Sequence, residues 1–203
     1  MPNYRRSREG STYFLTVGTY RRRPILCGEA SRAALREAIR EARLRHPFVI
    51  DAWVLLPDHL HCIWTLPEGD GDYSTRWGLI KAGFTRRVAG ALLEGPPASA
   101  SRREHREKAV WQRRFWEHTI RDDRDHAAHR DYIHYNPVKH GWAAAPRSWP
   151  WSTFHRYAAQ GVYAPDWGST DPAPPAVRWP PPTHCPNPAV HKRASANRTH
   201  RKP

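Results

Sequence analysis

The sequence has little of what marks a disulfide-bonded or membrane-spanning protein. Only three cysteines occur among its 203 residues, and no two of them form a C-x-x-C pair. This excludes a disulfide framework and a cysteine-rich zinc site. There is no apolar run of about 18 residues to span a bilayer, and the N-terminus lacks a secretory signal pattern. We therefore expect a protein of the reducing cytoplasm, without a membrane partner.

Acidic residues are also scarce relative to basic ones. The chain has 33 lysines and arginines against 19 aspartates and glutamates, a formal net charge of +14. A charge of this size favours polyanionic partners. Ten tryptophans and eight tyrosines add flat rings on which unpaired bases stack. The composition therefore predicts a single-stranded nucleic acid as partner. A G-x-x-x-x-G-K-[ST] loop is missing, so no nucleotide cofactor is expected.

The hydrophobic pattern predicts an α+β fold. Strands are expected at 11–20, 48–56, 59–66 and 115–120, and helices at 31–45, about 77–92 and 125–136, with Pro137 ending the last helix. This order is typical of a ferredoxin-like antiparallel sheet with helices on one face. Composition divides the chain into a domain over residues 1–168 and a Pro-rich basic tail over 169–203, which is predicted to be disordered.

Two histidines separated by one residue carry the first chemical signal. If 59–66 is a strand, His59 and His61 lie on one face, where two imidazoles can converge on one metal ion. Cys62 falls on the opposite face and is interpreted as a small core residue. An arbitrary H-x-H pair is more often two half-exposed histidines than a metal site. This pair, however, follows a proline turn between two apolar strands.

A tyrosine four residues before an asparagine carries the second signal. On a helix, Tyr132 and Asn136 point the same way. A phenol can attack a phosphodiester and form a covalent intermediate, and the amide oxygen of Asn136 can complete the coordination of an ion held by the histidines. A lone helical tyrosine more often packs than reacts. Tyr135 is a competing candidate, and His134 is interpreted as a solvated or phosphate-binding residue.

Five separated segments carry a resemblance to a known family. Residues 56–64 (LPDHLHCIW) resemble the histidine-hydrophobe-histidine signature of the HUH single-strand DNA endonucleases. Residues 131–142 (DYIHYNPVKHGW) are similar to the tyrosine helix of one branch of them, the REP-associated tyrosine transposases. Three further matches, WTLPEGD, FWEH and WPWSTFH, occur in the expected order. The resemblance spans about residues 4–167.

The resemblance implies a ferredoxin-like fold and a divalent metal ion, Mg²⁺ or Mn²⁺. It implies that Tyr132 is the nucleophile, that His59 and His61 are metal ligands, and that Asn136 is the third ligand. The implied activity is nicking and rejoining of single-stranded DNA at REP-type hairpins through a 5′-phosphotyrosine. The implied enzyme acts at the nucleoid, as a monomer or a homodimer.

Phosphate contacts are expected from basic residues in three segments. They are Arg21, Arg22, Arg23, Arg76, Lys81, Arg86, Arg87 and Lys139. Each of them taken singly is more often a solvated surface cation. Together they predict DNA binding that weakens steeply with salt.

The sequence also allows two other functions. A ferredoxin-like sheet with exposed aromatic rings can bind RNA without cutting it, and a domesticated transposase can bind hairpins in the same passive way. A metal-dependent hydrolase would use His59, His61 and a water molecule, and would release its products with no protein attached. Covalent attachment of DNA to Tyr132 distinguishes the transposase from both.

Overall fold

Four strands and four α-helices make up the part of the chain that the structure, a computed structural model, describes: residues 12–88 and 109–169. The strands are β1 (Thr12–Gly18), β2 (Val49–Leu55), β3 (His59–Thr65) and β4 (Trp116–Thr119). The helices are α1 (Glu29–Arg45), α2 (Tyr73–Val88), α3 (Asp123–Lys139) and α4 (Phe154–Ala159). Single 3-10 turns lie at Tyr20–Arg22 and Pro146–Ser148. The short α4 is the one helix of this set that the sequence did not predict.

All neighbouring strands of the sheet run antiparallel, in the order β2-β3-β1-β4. β2 and β3 form the expected hairpin, and the N–H of Leu56 closes it by donating to the carbonyl of His59 at 2.8 Å. β3 and β1 occupy the centre, where each strand has hydrogen-bonded neighbours on both sides. This is the strand order of the ferredoxin-like fold, and the predicted α+β class is confirmed.

One face of the sheet packs against α1 and α2, as the sequence predicts. The central strands contribute alternate residues to this core, among them Cys62 and Trp64. Trp64 stacks on Trp77 of α2 with ring centroids 4.5 Å apart and 13° between the ring planes. Cys62 is fully buried, so its interpretation as a core residue is confirmed.

The opposite face of the sheet carries α3, so the prediction that the helices lie on one face holds for α1 and α2 but not for α3. Phe14 of β1, Ile63 of β3 and Ile133 of α3 belong to this second core, and all three are fully buried. His59 and His61 leave β3 on the same side as Ile63. The fold therefore brings the histidine signal on β3 and the tyrosine signal on α3 to the same place.

α3 continues through Pro137, so the prediction that this proline ends the helix at Asn136 is wrong. Pro137 lies in the last turn, where its missing N–H removes only the helical bond to the carbonyl of Ile133. Closer to the end of the helix, the carbonyl of Asn136 still accepts the N–H of His140 at 3.1 Å. The added residues carry Lys139 and His140 toward the histidines of β3.

Two predictions fall outside the described residues. The far end of the second predicted helix, near residue 92, lies within 89–108, and almost all of the predicted disordered tail lies within 170–203. The division into a domain and a tail therefore stays a prediction. Among the described helices, none has the length and apolar character needed to cross a membrane.

Candidate active site

The two histidines of β3 lie buried side by side under α3. His59 is 3 % exposed and His61 is 4 % exposed, and their ring centroids are 4.9 Å apart with 87° between the planes. Both side chains leave the same face of a central strand, as alternation predicts. β1 pairs with β3 along its whole length and places Thr16 opposite His61.

One ring nitrogen of each histidine is engaged by a neighbouring side chain. Nδ1 of His59 donates to the carboxylate of Asp58 at 2.6 Å, and that carboxylate also pairs with Arg22 at 3.0 Å. Nδ1 of His61 lies 2.7 Å from the hydroxyl oxygen of Thr16. When Nδ1 carries the proton in both rings, each Nε2 presents a lone pair, which is the form in which histidine binds a metal.

α3 places Tyr132 and Asn136 against the histidine pair. The half-buried ring of Tyr132 lies 5.3 Å from the ring of His61, measured between centroids, and Asn136 is fully buried. Tyr135 points another way and contacts Trp167, with ring centroids 6.4 Å apart. The structure thus brings the four predicted central residues together and keeps the competing tyrosine apart from them.

Three buried polar atoms at this place lack a hydrogen bond of good geometry: Nε2 of His61 and both amide atoms of Asn136. The Asn136 side chain nevertheless lies close enough to the His59 ring to raise the pKa of that ring, against the effect of burial. Each buried unpaired group costs about 1–3 kcal/mol, so a fold that buries several of them together points to a ligand between them. Imidazole nitrogens and an amide oxygen form a donor set that fits a divalent cation. The residues present therefore fit the ion that the resemblance implies.

His140 belongs to this cluster although the sequence reasoning did not single it out. Its ring lies 5.3 Å from the ring of His59, centroid to centroid. Tyr132, Asn136 and His140 follow one another at intervals of four, and this spacing is the signal that identifies His140. Lys139, predicted to contact phosphate, places its Nζ 4.7 Å from the centroid of the Tyr132 ring.

Burial and nearby positive charge keep the paired histidines neutral. Desolvation lowers the pKa of His59 below its ordinary value, although the hydrogen bond to Asp58 acts in the opposite direction. Burial places the pKa of His61 well below its ordinary value, and the charges of Arg22 and Lys139 add to this effect. Neutral imidazole is the form that binds metals, and the same positive charges attract phosphate.

The predicted DNA-binding cations before α1 lie near the histidine cluster. Arg21 and Arg22 both adopt positive φ, 52° and 54°, a conformation that is uncommon outside glycine. The bend brings Arg22 to Asp58, so part of its charge is already paired. Arg21 is exposed, and Arg23 is half-buried.

The predicted cations of α2 lie on the other face of the sheet, away from the histidines. Lys81 donates to the carbonyl of Gln112 at 3.0 Å, and Arg87 pairs with Glu41 at 2.6 Å. Arg86 is exposed. The sheet therefore separates these cations from Tyr132 and the histidines.

The prediction that Arg76 contacts DNA is wrong, because this side chain is buried. It is 1 % exposed and pairs with Asp70 at 2.7 Å. Its guanidinium also donates to the backbone carbonyls of Pro47 and Asp72, each at 2.8 Å. Arg76 fastens the start of α2 to the preceding loop instead of facing solvent.

The interpretation of His134 as a solvated residue is also wrong. This side chain is fully buried, with Nδ1 2.8 Å from the hydroxyl of Tyr163 and Nε2 2.8 Å from the hydroxyl of Thr153. It ties α3 to the segment around α4, and its partner Thr153 is also hydrogen-bonded to the backbone of Trp53 in β2. Desolvation lowers the pKa of His134 to about 3.

Comparisons with known proteins find close relatives. The chain is 46 % identical over 168 residues to the REP-associated tyrosine transposase of Escherichia coli, covering 82 % of this chain and 91 % of the relative. It is 41 % identical over 169 residues to a Haemophilus influenzae protein of the same family name, covering 83 % and 94 %. A solved REP-associated tyrosine transposase bound to a REP hairpin matches with a TM-score of 0.65 at 46 % identity, covering 84 % and 94 %. No model of a protein family matches the sequence.

Acid should weaken the fold through His134. A histidine in the unfolded chain titrates near pH 6.5, whereas the folded-state pKa of His134 is lowered to about 3. Between these values the unfolded state binds a proton that the folded state does not. The contribution is therefore fully present above about pH 6.5 and falls as pH falls toward about 3. We expect His134→Gln to reduce the pH dependence of urea unfolding by up to about 1.4 kcal/mol per pH unit.

Unfolding of both proteins above about pH 7.5, where an ordinary histidine is neutral, measures what the substitution costs through lost hydrogen bonds alone. If the two proteins then lose stability in parallel on acidification, His134 does not carry the dependence.

Proposed function

The chain belongs to the REP-associated tyrosine transposases, and from that membership we propose that it nicks and rejoins single-stranded DNA at REP-type hairpins. Tyr132 is the proposed nucleophile. The observation that carries the proposal is the position of its ring, 5.3 Å from that of His61, beside the unpartnered buried atoms of His61 and Asn136. The relative described as bound to a REP hairpin and the net charge of +14 support a DNA hairpin as substrate.

Cleavage in this proposal is an in-line displacement at phosphorus. The phenol oxygen of Tyr132 forms a bond to phosphorus while the bond from phosphorus to the 3′ oxygen breaks. The phenol loses its proton, and the departing strand gains one and leaves as a free 3′-hydroxyl. The downstream strand stays joined to the protein as a 5′-phosphotyrosine. The ammonium of Lys139 beside the ring offsets the negative charge that gathers in the transition state.

A divalent cation, Mg²⁺ or Mn²⁺, would be held by His59, His61 and Asn136. When bound, it supplies a Lewis acid that polarises a non-bridging phosphate oxygen. Asp58 and Thr16 hold the two imidazoles in one orientation, and with the proton on Nδ1 of each ring both Nε2 atoms would face the site. Burial favours the neutral form of both rings, and the nearby positive charges would draw the phosphate in.

Rejoining uses the same residues in the opposite direction. The phosphotyrosine retains the free energy of the broken linkage because no water is consumed. A second 3′-hydroxyl can therefore attack the phosphorus and release Tyr132. The edge of the Tyr132 ring packs against Phe14, with centroids 6.0 Å apart, and this apolar side helps to exclude water from the covalent bond.

A single chain holds every part of the proposed site. Tyr132 reaches the histidines of its own sheet, so no tyrosine from a second subunit is required. We therefore propose that the protein acts as a monomer on each DNA strand. Its place of action is the cytoplasm, at the nucleoid, where its DNA substrate lies.

Replacement of Tyr132 gives the most direct test of the nucleophile. The probe is a REP-type hairpin with single-stranded flanks, labelled at its 3′ end and incubated with Mn²⁺. Because the downstream strand is the one that stays on the protein, we expect a labelled band at protein mass on a denaturing gel. Tyr132→Phe should abolish this band, whereas Tyr135→Phe, on the same helix but facing Trp167, should retain it.

The same gel distinguishes the rival functions. Shortened DNA with no protein-linked label would indicate a hydrolase that uses water. Hairpin binding with no cleavage in the unmodified protein would indicate a binding protein. A protein-linked band that persists in Tyr132→Phe and disappears in Tyr135→Phe would assign the nucleophile to the other tyrosine.

Thr16 gives a test of the cation site. Thr16→Val removes the hydroxyl that holds Nδ1 of His61. We expect the Mn²⁺ concentration needed for half-maximal nicking to rise about 10–100-fold, with nicking restored at saturating Mn²⁺. Thr12→Val is the matched control, because that hydroxyl lies on the same strand but contacts Thr65 at 3.0 Å. An unchanged Mn²⁺ requirement in Thr16→Val would contradict the proposed role of His61.

A further inference from the structure

A second group of possible metal ligands lies outside the proposed active site. It consists of His118 on β4 and of Asp125 and His129 in the first turns of α3. One potential ligand atom from each lies within 4.8 Å of the other two. The side chains of Asp125 and His129 are 10 % and 5 % exposed, and that of His118 is 25 % exposed. The group is therefore largely buried, with one side open to solvent.

The ring of Phe14 separates this group from the histidines of β3. Phe14 packs on His129 with ring centroids 4.8 Å apart, and its other contacts include His61 at 5.7 Å and Tyr132 at 6.0 Å. The two ligand groups therefore do not form one binuclear centre, in which metals lie about 3.5–4 Å apart.

The distances within the group suit one small cation. Nε2 of His118 lies 2.8 Å from one carboxylate oxygen of Asp125, and Nδ1 of His129 lies 3.0 Å from the other. The two imidazoles stack with centroids 4.6 Å apart and 18° between their planes. Nitrogen and oxygen ligands bind Zn²⁺ at about 2.0–2.2 Å in tetrahedral geometry, which separates neighbouring ligand atoms by roughly 3.3 Å. Small side-chain movements reach that spacing.

The ionisation of the group also suits a cation. Burial opposes ionisation of Asp125, but hydrogen bonds from the backbone N–H of Arg121 and from His118 outweigh it, so the pKa of Asp125 lies below its ordinary value. Desolvation lowers the pKa of His129, and the neighbouring His118 adds to this effect. The group therefore offers the carboxylate anion of Asp125 and the ring of His129, whose neutral form is favoured by burial.

The alternative is that these three side chains form only a hydrogen-bonded network and bind no metal ion. Nδ1 of His129 also lies 2.9 Å from the backbone carbonyl of Asp125, and the Asp125 carboxylate accepts the N–H of Arg121 at 3.0 Å. When an ion binds, the ring nitrogen that faces the carboxylate gives up its proton and coordinates the ion. The single proton of each neutral ring then lies on the other nitrogen. The Arg121 contact can persist, because a carboxylate has about four acceptor sites.

We propose that His118, Asp125 and His129 form a second cation site, one that takes a transition-metal ion of the Zn²⁺ type. Two imidazoles and one carboxylate, with a solvent-accessible fourth position, are a common ligand set for that ion. An ion here joins the edge strand β4 to the start of α3. Because Phe14 contacts His129, His61 and Tyr132, such an ion would also stabilise the packing of α3 against β3.

The test measures metal binding without DNA, so its outcome does not depend on the proposed nicking activity. The full chain is freed of metal and titrated with Co²⁺, whose visible absorption reports tetrahedral nitrogen and oxygen ligands. The starting protein carries His59→Ala and His61→Ala, which removes the ligands of the first site. We expect this protein to bind Co²⁺ with tetrahedral absorption, and Zn²⁺ to displace it.

Variants of the second site are then compared in the same background. Histidines and a cysteine also occur in the sequence beyond residue 169, so the readout is a difference between proteins. Adding His118→Asn and His129→Asn should remove one equivalent of Co²⁺. Adding His155→Asn, an exposed histidine of α4, should remove none.

A milder variant provides a second test in case the protein with both histidines replaced does not fold. Asp125→Asn keeps the shape and an acceptor oxygen but removes the charge, and we expect it to weaken Co²⁺ binding at least about 10-fold. If the His118→Asn, His129→Asn protein remains folded and binds as many ions as its parent, the group is a hydrogen-bonded network only. If the His118→Asn, His129→Asn protein is unfolded, the Asp125→Asn protein provides the test. An unchanged Co²⁺ affinity in that protein then overturns the proposal.

Discussion

The packing of α3 across the sheet is the contact on which the site depends. Ile133 is fully buried in one core with Phe14 and Ile63. Burial of such side chains stabilises by about 1.5–3 kcal/mol each, which is of the same order as the cost of the unpaired polar atoms beside them. An α-helix advances about 1.5 Å per residue, so a slip of even one residue would move Asn136 away from the histidines. A bound cation would coordinate the buried, unpaired atoms of His61 and Asn136 and so stabilise the same packing.

The sheet also separates two electrostatic surfaces. On the side of α3, burial lowers the pKa of His61, and the positive charges of Arg22 and Lys139 add to this effect; such charges attract phosphate. On the side of α1 and α2, Arg86 is exposed while Arg87 is paired with Glu41. Within residues 12–88 and 109–169, these cations therefore lie on two separate surfaces. In the proposed reaction, residues near Tyr132 would act on the scissile phosphate, and those on α2 would contact DNA only at a distance from it.

The sequence was most informative where a short periodic pattern determines geometry. Alternation along β3 correctly predicted that His59 and His61 share a face and that Cys62 lies in the opposite core. The interval of four residues correctly predicted that Tyr132 and Asn136 point the same way. In each case the spacing within one element is sufficient, because neighbouring strands and helices do not change which side a residue faces.

Features that depend on contacts between distant segments were not predictable in this way. Arg76 was expected at the surface because an arginine ordinarily is, and only the fold reveals the carboxylate and carbonyls that bury it. His134 was misinterpreted for the same reason, since its partners Thr153 and Tyr163 lie 19 and 29 residues further along the chain. The His118, Asp125 and His129 group joins a strand to a helix, and no local pattern marks it.

In the proposed site, β3 and α3 enclose one divalent cation next to the phenol of Tyr132. The most direct measurement is anomalous diffraction at the manganese edge from crystals of the protein grown with Mn²⁺. We expect a peak within bonding distance of Nε2 of His61 and of the amide oxygen of Asn136, with His59 as a further ligand and the Tyr132 side chain facing it. Mn²⁺ bound elsewhere with these three side chains left unliganded, or a Tyr132 side chain pointing away from the ion, would overturn the proposed site.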